Sequence, residues 1–160
     1  REGPTALALT RQNLLTVDRT KAGPAGGLQR GAYVLTDSEG TPDVILMATG
    51  SEVELVAAAA DRLREEGVRV RVVSMPSLEL FERQPQAYRD EVLPPSVTKR
   101  VAVEAGVTLG WARYTGTAGR VVGLDRFGAS APYQIVYEKL GLNVDNIVAQ
   151  ARELLATDRG

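Results

Sequence analysis

The stretch from Val44 to Met75, "VILMATGSEVELVAAAADRLREEGVRVRVVSM", constrains the fold more than any other part of the chain. Its first seven residues, "VILMATG", read as an apolar strand, and "VRVRVVSM" at 68 to 75 supplies a second strand. Between them the spacing predicts a helix from about 52 to 66. Val53, Val56, Ala57, Ala60 and Leu63 fall on one face, Glu54, Asp61, Arg62 and Glu65 fall away from it, and Gly67 supplies the stop. A strand, a helix and a strand in this order form a crossover, which favours parallel strands.

The rest of the chain extends that pattern. "PTALALT" at 4 to 10 predicts a short strand that ends abruptly in Arg11-Gln12-Asn13. "TVDRTKAGPAGGLQRG" at 16 to 31 has neither a helix nor a strand period and reads as a linker at a domain boundary. "GAYVLT" at 31 to 36 is a further strand, and "PSLELFERQPQAYRDEVLPPSV" reads as one or two short helices closed by Pro94-Pro95. Strands follow in "KRVAVEAG" at 99 to 106 and "VVGLD" at 121 to 125, linked by the polar "WARYTGTAGR". Helices are expected at roughly 132 to 140 and from about Val144 to Leu155. The alternation is that of a layered α/β domain. A length of 160 residues at 44% hydrophobic content suits one such domain, with or without a tail.

Composition removes several kinds of chemistry. With no cysteine and no histidine, the chain has no disulfide, thiolate nucleophile, His-zinc site or Ser-His-Asp triad of its own. Nineteen basic and twenty acidic residues gather in no long run, so neither nucleic acid nor an anionic membrane is an expected partner. The first residues, Arg-Glu-Gly-Pro, hold no apolar signal core, and no apolar run approaches the roughly 20 residues of a membrane span. The expectation is a soluble, cytoplasmic chain.

Thr49-Gly50-Ser51 sits between a strand and a helix, where phosphate-cradling loops begin. One glycine is too few: neither G-x-G-x-x-G nor G-x-x-x-x-G-K-[ST] is present. Ser51-x-x-Glu54 instead predicts a capping box, with the Ser hydroxyl accepting from the Glu54 N–H and the carboxylate returning to Ser51. Glu52 and Glu54 would stabilise the positive end of the helix and repel a second anion.

Other polar residues divide by position. Glu79, Glu82, Asp90 and Glu91 lie in a charged helical region with Arg83 and Arg89 and read as a solvated face. Glu104 ends a strand at the carboxyl edge, where open α/β sheets place ligands, so it serves either a binding or interface role or a cap or salt bridge. "DRFGASAP" at 125 to 132 is either a functional loop or one ordered by its own hydrogen bonds and the packing of Phe127. Trp111 and Tyr114 are either buried anchors or partner-facing residues. Arg11, beside Gln12 and Asn13 at a strand end, suits either a bidentate contact to phosphate or carboxylate or a surface salt bridge.

Taken in order, "ALTRQNL" at 8 to 14, "PDVILMATGSEVEL" at 42 to 55, "VRVVSMPSLELFERQ" at 70 to 84, "YRDEVLPP" at 88 to 95, "VAVEAG" at 101 to 106, "GWARY" at 110 to 114 and "DRFGASAP" resemble the C-terminal part of a bacterial transketolase. "RQNL" and "DRFGASAP" are the specific motifs; "ATGSEV" is shared with related thiamine diphosphate enzymes. The resemblance implies an enzyme that moves a two-carbon ketol unit from a ketose phosphate to an aldose phosphate, with thiamine diphosphate and Mg or Ca, as a homodimer. It implies that residues 1–15 end a pyrimidine-binding domain, that 16–30 link, and that 31–160 form a three-layer α/β/α domain with a five-stranded, mixed, mostly parallel sheet. It assigns no catalytic, cofactor or metal residue to this chain, leaves the chain inactive alone, and places on Arg11 the arginine that holds the substrate's terminal phosphate. Leu15 stands where the family often has proline. Two other readings are the matching domain of 1-deoxyxylulose-5-phosphate synthase or a 2-oxo-acid dehydrogenase, and a free-standing α/β binding module using the loops after Glu104 and Asp125.

Overall fold

The computed structural model describes residues 4, 6, 7 and 9–157. Its strands are β1 (Tyr33–Thr36), β2 (Val44–Ala48), β3 (Val70–Ser74), β4 (Arg100–Val103) and β5 (Arg120–Val122), in one sheet of order β1-β3-β2-β4-β5. The pairs β2/β3, β2/β4 and β4/β5 are parallel. The edge strand β1 runs antiparallel to β3, with its register broken between Val34 and Thr36. The mixed, mostly parallel sheet has the expected form.

Every residue of β2 is buried, which is why its sequence shows no polar alternation. Its side chains feed two cores on opposite faces. Val44, Leu46 and Ala48 join Val101 and Val103 of β4 beneath α1 (Glu52–Glu65) and a long C-terminal helix, Val144–Ala156. Ile45, Met47 and Ala102 face the other way, toward α2 (Leu78–Glu82), α3 (Gln86–Val92) and α4 (Ala112–Thr115). With α5 (Tyr133–Lys139), the long C-terminal helix becomes α6, and the layers are α/β/α.

On α1 the buried stripe is Val56, Ala59, Ala60 and Leu63, rotated slightly from the expected face, so that Val53 and Ala57 are half-buried. The polar side is laced to α6 by Arg62–Asp145 and by Arg152–Glu66 at 2.5 Å. Two short helices, α2 and α3, do precede Pro94-Pro95.

Three segments differ from expectation. The described residues of 4 to 10 form no strand, and Leu7 and Leu9 are each 82% exposed; residues 5 and 8 lie outside the described set. A strand requires a partner's edge, and the described residues of this segment join none of the five. Residues 16 to 31, read as a linker, are ordered onto the domain. Val17 and Ala22 pack on the first core, Gly23 N–H donates to Leu35 O on β1 at 2.7 Å, and Ala25–Arg30 is a 3-10 helix. "WARYTGTAGR" is no plain connector either: α4 lies within it and buries Trp111 and Tyr114 in the second core.

Gly31 turns the chain into β1 at φ +85°, and a Cβ there would stand 2.3 Å from the Phe81 nitrogen. Only glycine meets both conditions. Arg100 does comparable work in β4, donating through Nε to Val97 O, through Nη1 to Tyr114 O and through Nη2 to Leu93 O and Pro94 O. One planar fork thus fastens the α3–β4 loop to α4.

Candidate functional site at the carboxyl edge of the sheet

The chain leaves β2 for β3 on one side, and β4 lies on the other, so the topological switch point falls between the carboxyl ends of β2 and β4, where Ala48 pairs with Val103. Thr49-Gly50-Ser51 follows β2 there, with Gly50 at φ +56° swinging the backbone into α1. Glu104 follows β4. Two acidic side chains, from Glu52 and Glu104, therefore converge on the crevice.

The capping box is not formed. A capping serine needs extended backbone, but Ser51 has φ −67° and ψ −24°, already helical, and its side chain accepts no backbone N–H. The contrast lies in the same chain: Ser77 and Asn143 are extended, and they accept from Leu80 N at 3.3 Å and Asn146 N at 2.9 Å. Ser51 Oγ instead donates to Glu52 Oε1 at 2.7 Å, and Glu54 Oε2 accepts from Leu15 N at 3.4 Å.

Glu52 is only 4% exposed. Besides Ser51, its Oε1 accepts from Tyr137 Oη of α5 at 2.5 Å, and Tyr137 Oη accepts from Gln12 Nε2 at 3.2 Å. Burial, and then the bond to the Glu52 carboxylate, raise the Tyr137 phenol above its ordinary pKa, against the opposing bonds of Ser51 and Gln12. Burial raises the Glu104 carboxyl as well, followed by the charge of Glu52, while a bond from Trp111 opposes. The acidic pair at the switch point is Glu52 and Glu104, not the Glu52 and Glu54 of the "SEVE" stretch, and it disfavours a phosphate there. Among the described residues no three of His, Cys, Asp and Glu are placed to hold a metal ion.

Asp125 accepts from Thr108 N at 2.9 Å and from Thr108 Oγ1 at 2.8 Å, and these bonds, the backbone one foremost, hold its carboxyl below the usual range. This pins the loop after β5 to the loop after β4. Phe127 does not order the loop by packing, being 96% exposed. Trp111 and Tyr114 are buried anchors, at 3% and 5% exposure, and burial with the neighbouring Glu82 pushes the Tyr114 phenol up to about 12. Glu82 departs from the solvated face expected of it: its Oε2 takes Arg89 Nη1 at 2.9 Å and Arg113 Nη2 at 2.6 Å.

Arg11 is exposed, whereas its neighbour Gln12 is half-buried against Tyr137. The segment carrying Arg11 is thereby brought to the carboxyl edge, beside α5 and the first turn of α1. Tyr137 and the buried state of Glu52 went unread in the sequence, because their contact spans 85 residues and neither sits in a pattern of its own.

Residues 31–143 match the family described as "Transketolase-like TK C-terminal domain". Transketolase 1 of Escherichia coli is 53% identical over 154 residues, which are 96% of this chain and 23% of that protein. The chain thus spans about a quarter of the length of the curated relatives it matches. The structure of a Pichia stipitis transketolase in complex with sedoheptulose-7-phosphate superposes with a TM-score of 0.82 at 31% identity, over 94% of this chain and 21% of that one. A structure described as "Split gene transketolase, inactive beta4 tetramer" matches at TM-score 0.61 and 25% identity, over 80% of this chain and 43% of that one.

Proposed function

The chain belongs to the transketolase family as its C-terminal domain, and from that premise we propose that it is the C-terminal part of a homodimeric, cytoplasmic enzyme transferring a two-carbon ketol unit from a ketose phosphate to an aldose phosphate. The collinear match over 96% of the chain, from the Arg11 segment through α6, carries this reading. Residues 1–15 would close the preceding pyrimidine-binding domain, 16–30 connect, and 31–160 form the C-terminal domain. Thiamine diphosphate and a divalent cation, Mg or Ca, supply the carbanion chemistry of such an enzyme when bound. This chain's donors do not fit either group, since Glu52 and Glu54 occupy the helix start that a diphosphate would need and the described residues offer no metal cluster.

Arg11 is the residue that would touch substrate, its guanidinium gripping the terminal phosphate of the sugar. Its exposure leaves it free to do so, and the docking of Gln12 on Tyr137 holds its segment at the domain surface. The grip lies away from the reacting carbons and persists in ground and transition states alike, so its loss raises KM more than it lowers kcat.

Two measurements test the reading. The pure 160-residue chain supplied with thiamine diphosphate and magnesium should turn over no sugar phosphate; the split-gene relative described as inactive supports this expectation. In the full-length enzyme, Arg11→Ala should lower kcat/KM for phosphorylated substrates roughly 10-fold to 150-fold, the worth of a charge-assisted hydrogen bond. Glycolaldehyde as acceptor should be nearly unaffected. Turnover by the isolated chain, or equal losses with both acceptor classes, overturns the proposal.

A further inference from the structure

We propose that the first turn of α1 is a positioning device for the Arg11 segment: Glu52, acting through Tyr137 and Gln12, sets how firmly Arg11 is presented to an anionic substrate group. The inference rests on the reading of Arg11 as a phosphate contact and adds what holds it in place.

A carboxylate as buried as Glu52 is costly unless its oxygens are satisfied, and a well-packed apolar side chain usually stabilises such a position as well or better. Packing alone therefore does not account for a glutamate at this position. The hydrogen-bond polarity supplies a role. Tyr137 has a single hydroxyl proton and donates it to Glu52 Oε1 at 2.5 Å, which leaves its oxygen to accept from Gln12 Nε2 at 3.2 Å. A tyrosine polarised by a carboxylate is the stronger acceptor for that amide. The second acid of the same turn, Glu54, takes the Leu15 N–H at 3.4 Å. Two ties, at residues 12 and 15, thus fix the segment immediately after Arg11.

Apolar burial does not do this work. Leu9 and Leu15 are 82% and 78% exposed, and Leu14 is 44% exposed, so the polar ties to α1 and α5 carry the docking. A segment held before substrate arrives loses less conformational freedom on binding, and the saving appears as affinity. Glu52 and Tyr137 are positioning residues, since neither touches substrate.

The test has two arms. In the 160-residue chain, hydrogen exchange of the amides of residues 9–15 is compared among wild type, Gln12→Leu and Tyr137→Phe. Both variants should exchange faster in that segment, by a larger factor than any change in β2 and β4, which follow global stability. In the full-length enzyme, both should raise KM for a phosphorylated aldose by about 3-fold to 10-fold, the worth of one neutral hydrogen bond, with kcat within about 2-fold. Glycolaldehyde should be unaffected, and Glu52→Gln, which keeps an acceptor oxygen for Tyr137, should retain most of the wild-type KM. Gln12→Leu leaves the Tyr137–Glu52 bond intact and decides the matter even where Tyr137→Phe fails to fold. Exchange in that segment rising no more than in β2 and β4, or KM rising equally for both acceptor classes, overturns the positioning role. If Arg11→Ala raises KM while Gln12→Leu and Tyr137→Phe do not, the positioning inference fails and the Arg11 reading stands. If Arg11→Ala is itself silent, both fail.

Discussion

Tyr137 Oη stands 2.5 Å from Glu52 Oε1, joining α5 to the first turn of α1 across 85 residues of chain. Tyr137→Phe removes one of the two donors to that oxygen and leaves Ser51 alone with a buried carboxylate. The expected cost is about 1.5–3 kcal/mol, the range for a hydrogen bond to a charged group, read as a lower urea midpoint at unchanged slope. A midpoint equal to wild type contradicts the assignment.

Ser51 separates the observed arrangement from a helix cap. As a donor to the Glu52 carboxylate, its loss in Ser51→Ala should cost about 1.5–3 kcal/mol. Aspartate caps helices as well as serine does, so a capping role predicts that Ser51→Asp is nearly neutral. Here Asp would set a second carboxylate against a buried one, and a loss of about 2 kcal/mol or more is expected. Thermal or urea unfolding of the pair decides between the roles.

The Glu104 carboxyl is raised by burial and by Glu52, so the folded state binds its proton more tightly than the unfolded chain does. Its contribution to stability is full below the unfolded carboxyl range and is lost as pH rises through the raised folded value. Glu104→Gln should therefore raise Tm at pH 7 by about 1–2 °C, the effect of a few tenths of a kcal/mol in a chain of this size. The gain should shrink toward zero below pH ~4. A scan from pH 3 to 8 showing a constant offset, or a loss at neutral pH, contradicts the cause given.

Arg100 donates to four backbone carbonyls, and burial depresses its pKa. Lysine keeps the charge but has no planar fork to reach Val97, Tyr114 and Pro94 together. Arg100→Lys is expected to cost on the order of 2–4 kcal/mol, close to the cost of Arg100→Met. A mild Lys variant beside a severe Met one would mean that the charge, not the fork, matters.

Much of this architecture was legible from local pattern. The apolar run of β2 and the helical spacing after it named the crossover, and the stripe on α1 was misplaced by little, Ala59 being buried where Ala57 was expected. What escaped the sequence was decided by contacts remote in the chain. Ser51 had the residue types of a capping box, but the turn at Gly50 puts its backbone in the helical region, so the motif could not close. The 16 to 31 stretch carries no period because it packs through isolated side chains and scattered bonds, such as Gly23 N–H to Leu35 O and Ser77 N–H to Gly31 O. Trp111 and Tyr114 lie among polar residues, and only the α4 turn reveals that both point into the second core. The Gln12–Tyr137–Glu52 line joins three distant segments, and no spacing rule reports it.

The two margins of the sheet bear on how copies of such a chain can meet. An open strand edge is a template for aggregation, and each margin is blunted by a different means. On the β1 side the broken register at Val34 and Thr36 and the bond from Gly23 to Leu35 take up pairing groups. On the other side β5 is three residues long, and Arg120 at its start pairs with Glu153 of α6 at 3.6 Å. Continuation of the sheet from one copy into the next is thus disfavoured at both ends. Helix faces and the loops at the strand ends are left as the surfaces for association, and fibril growth by strand addition is blunted.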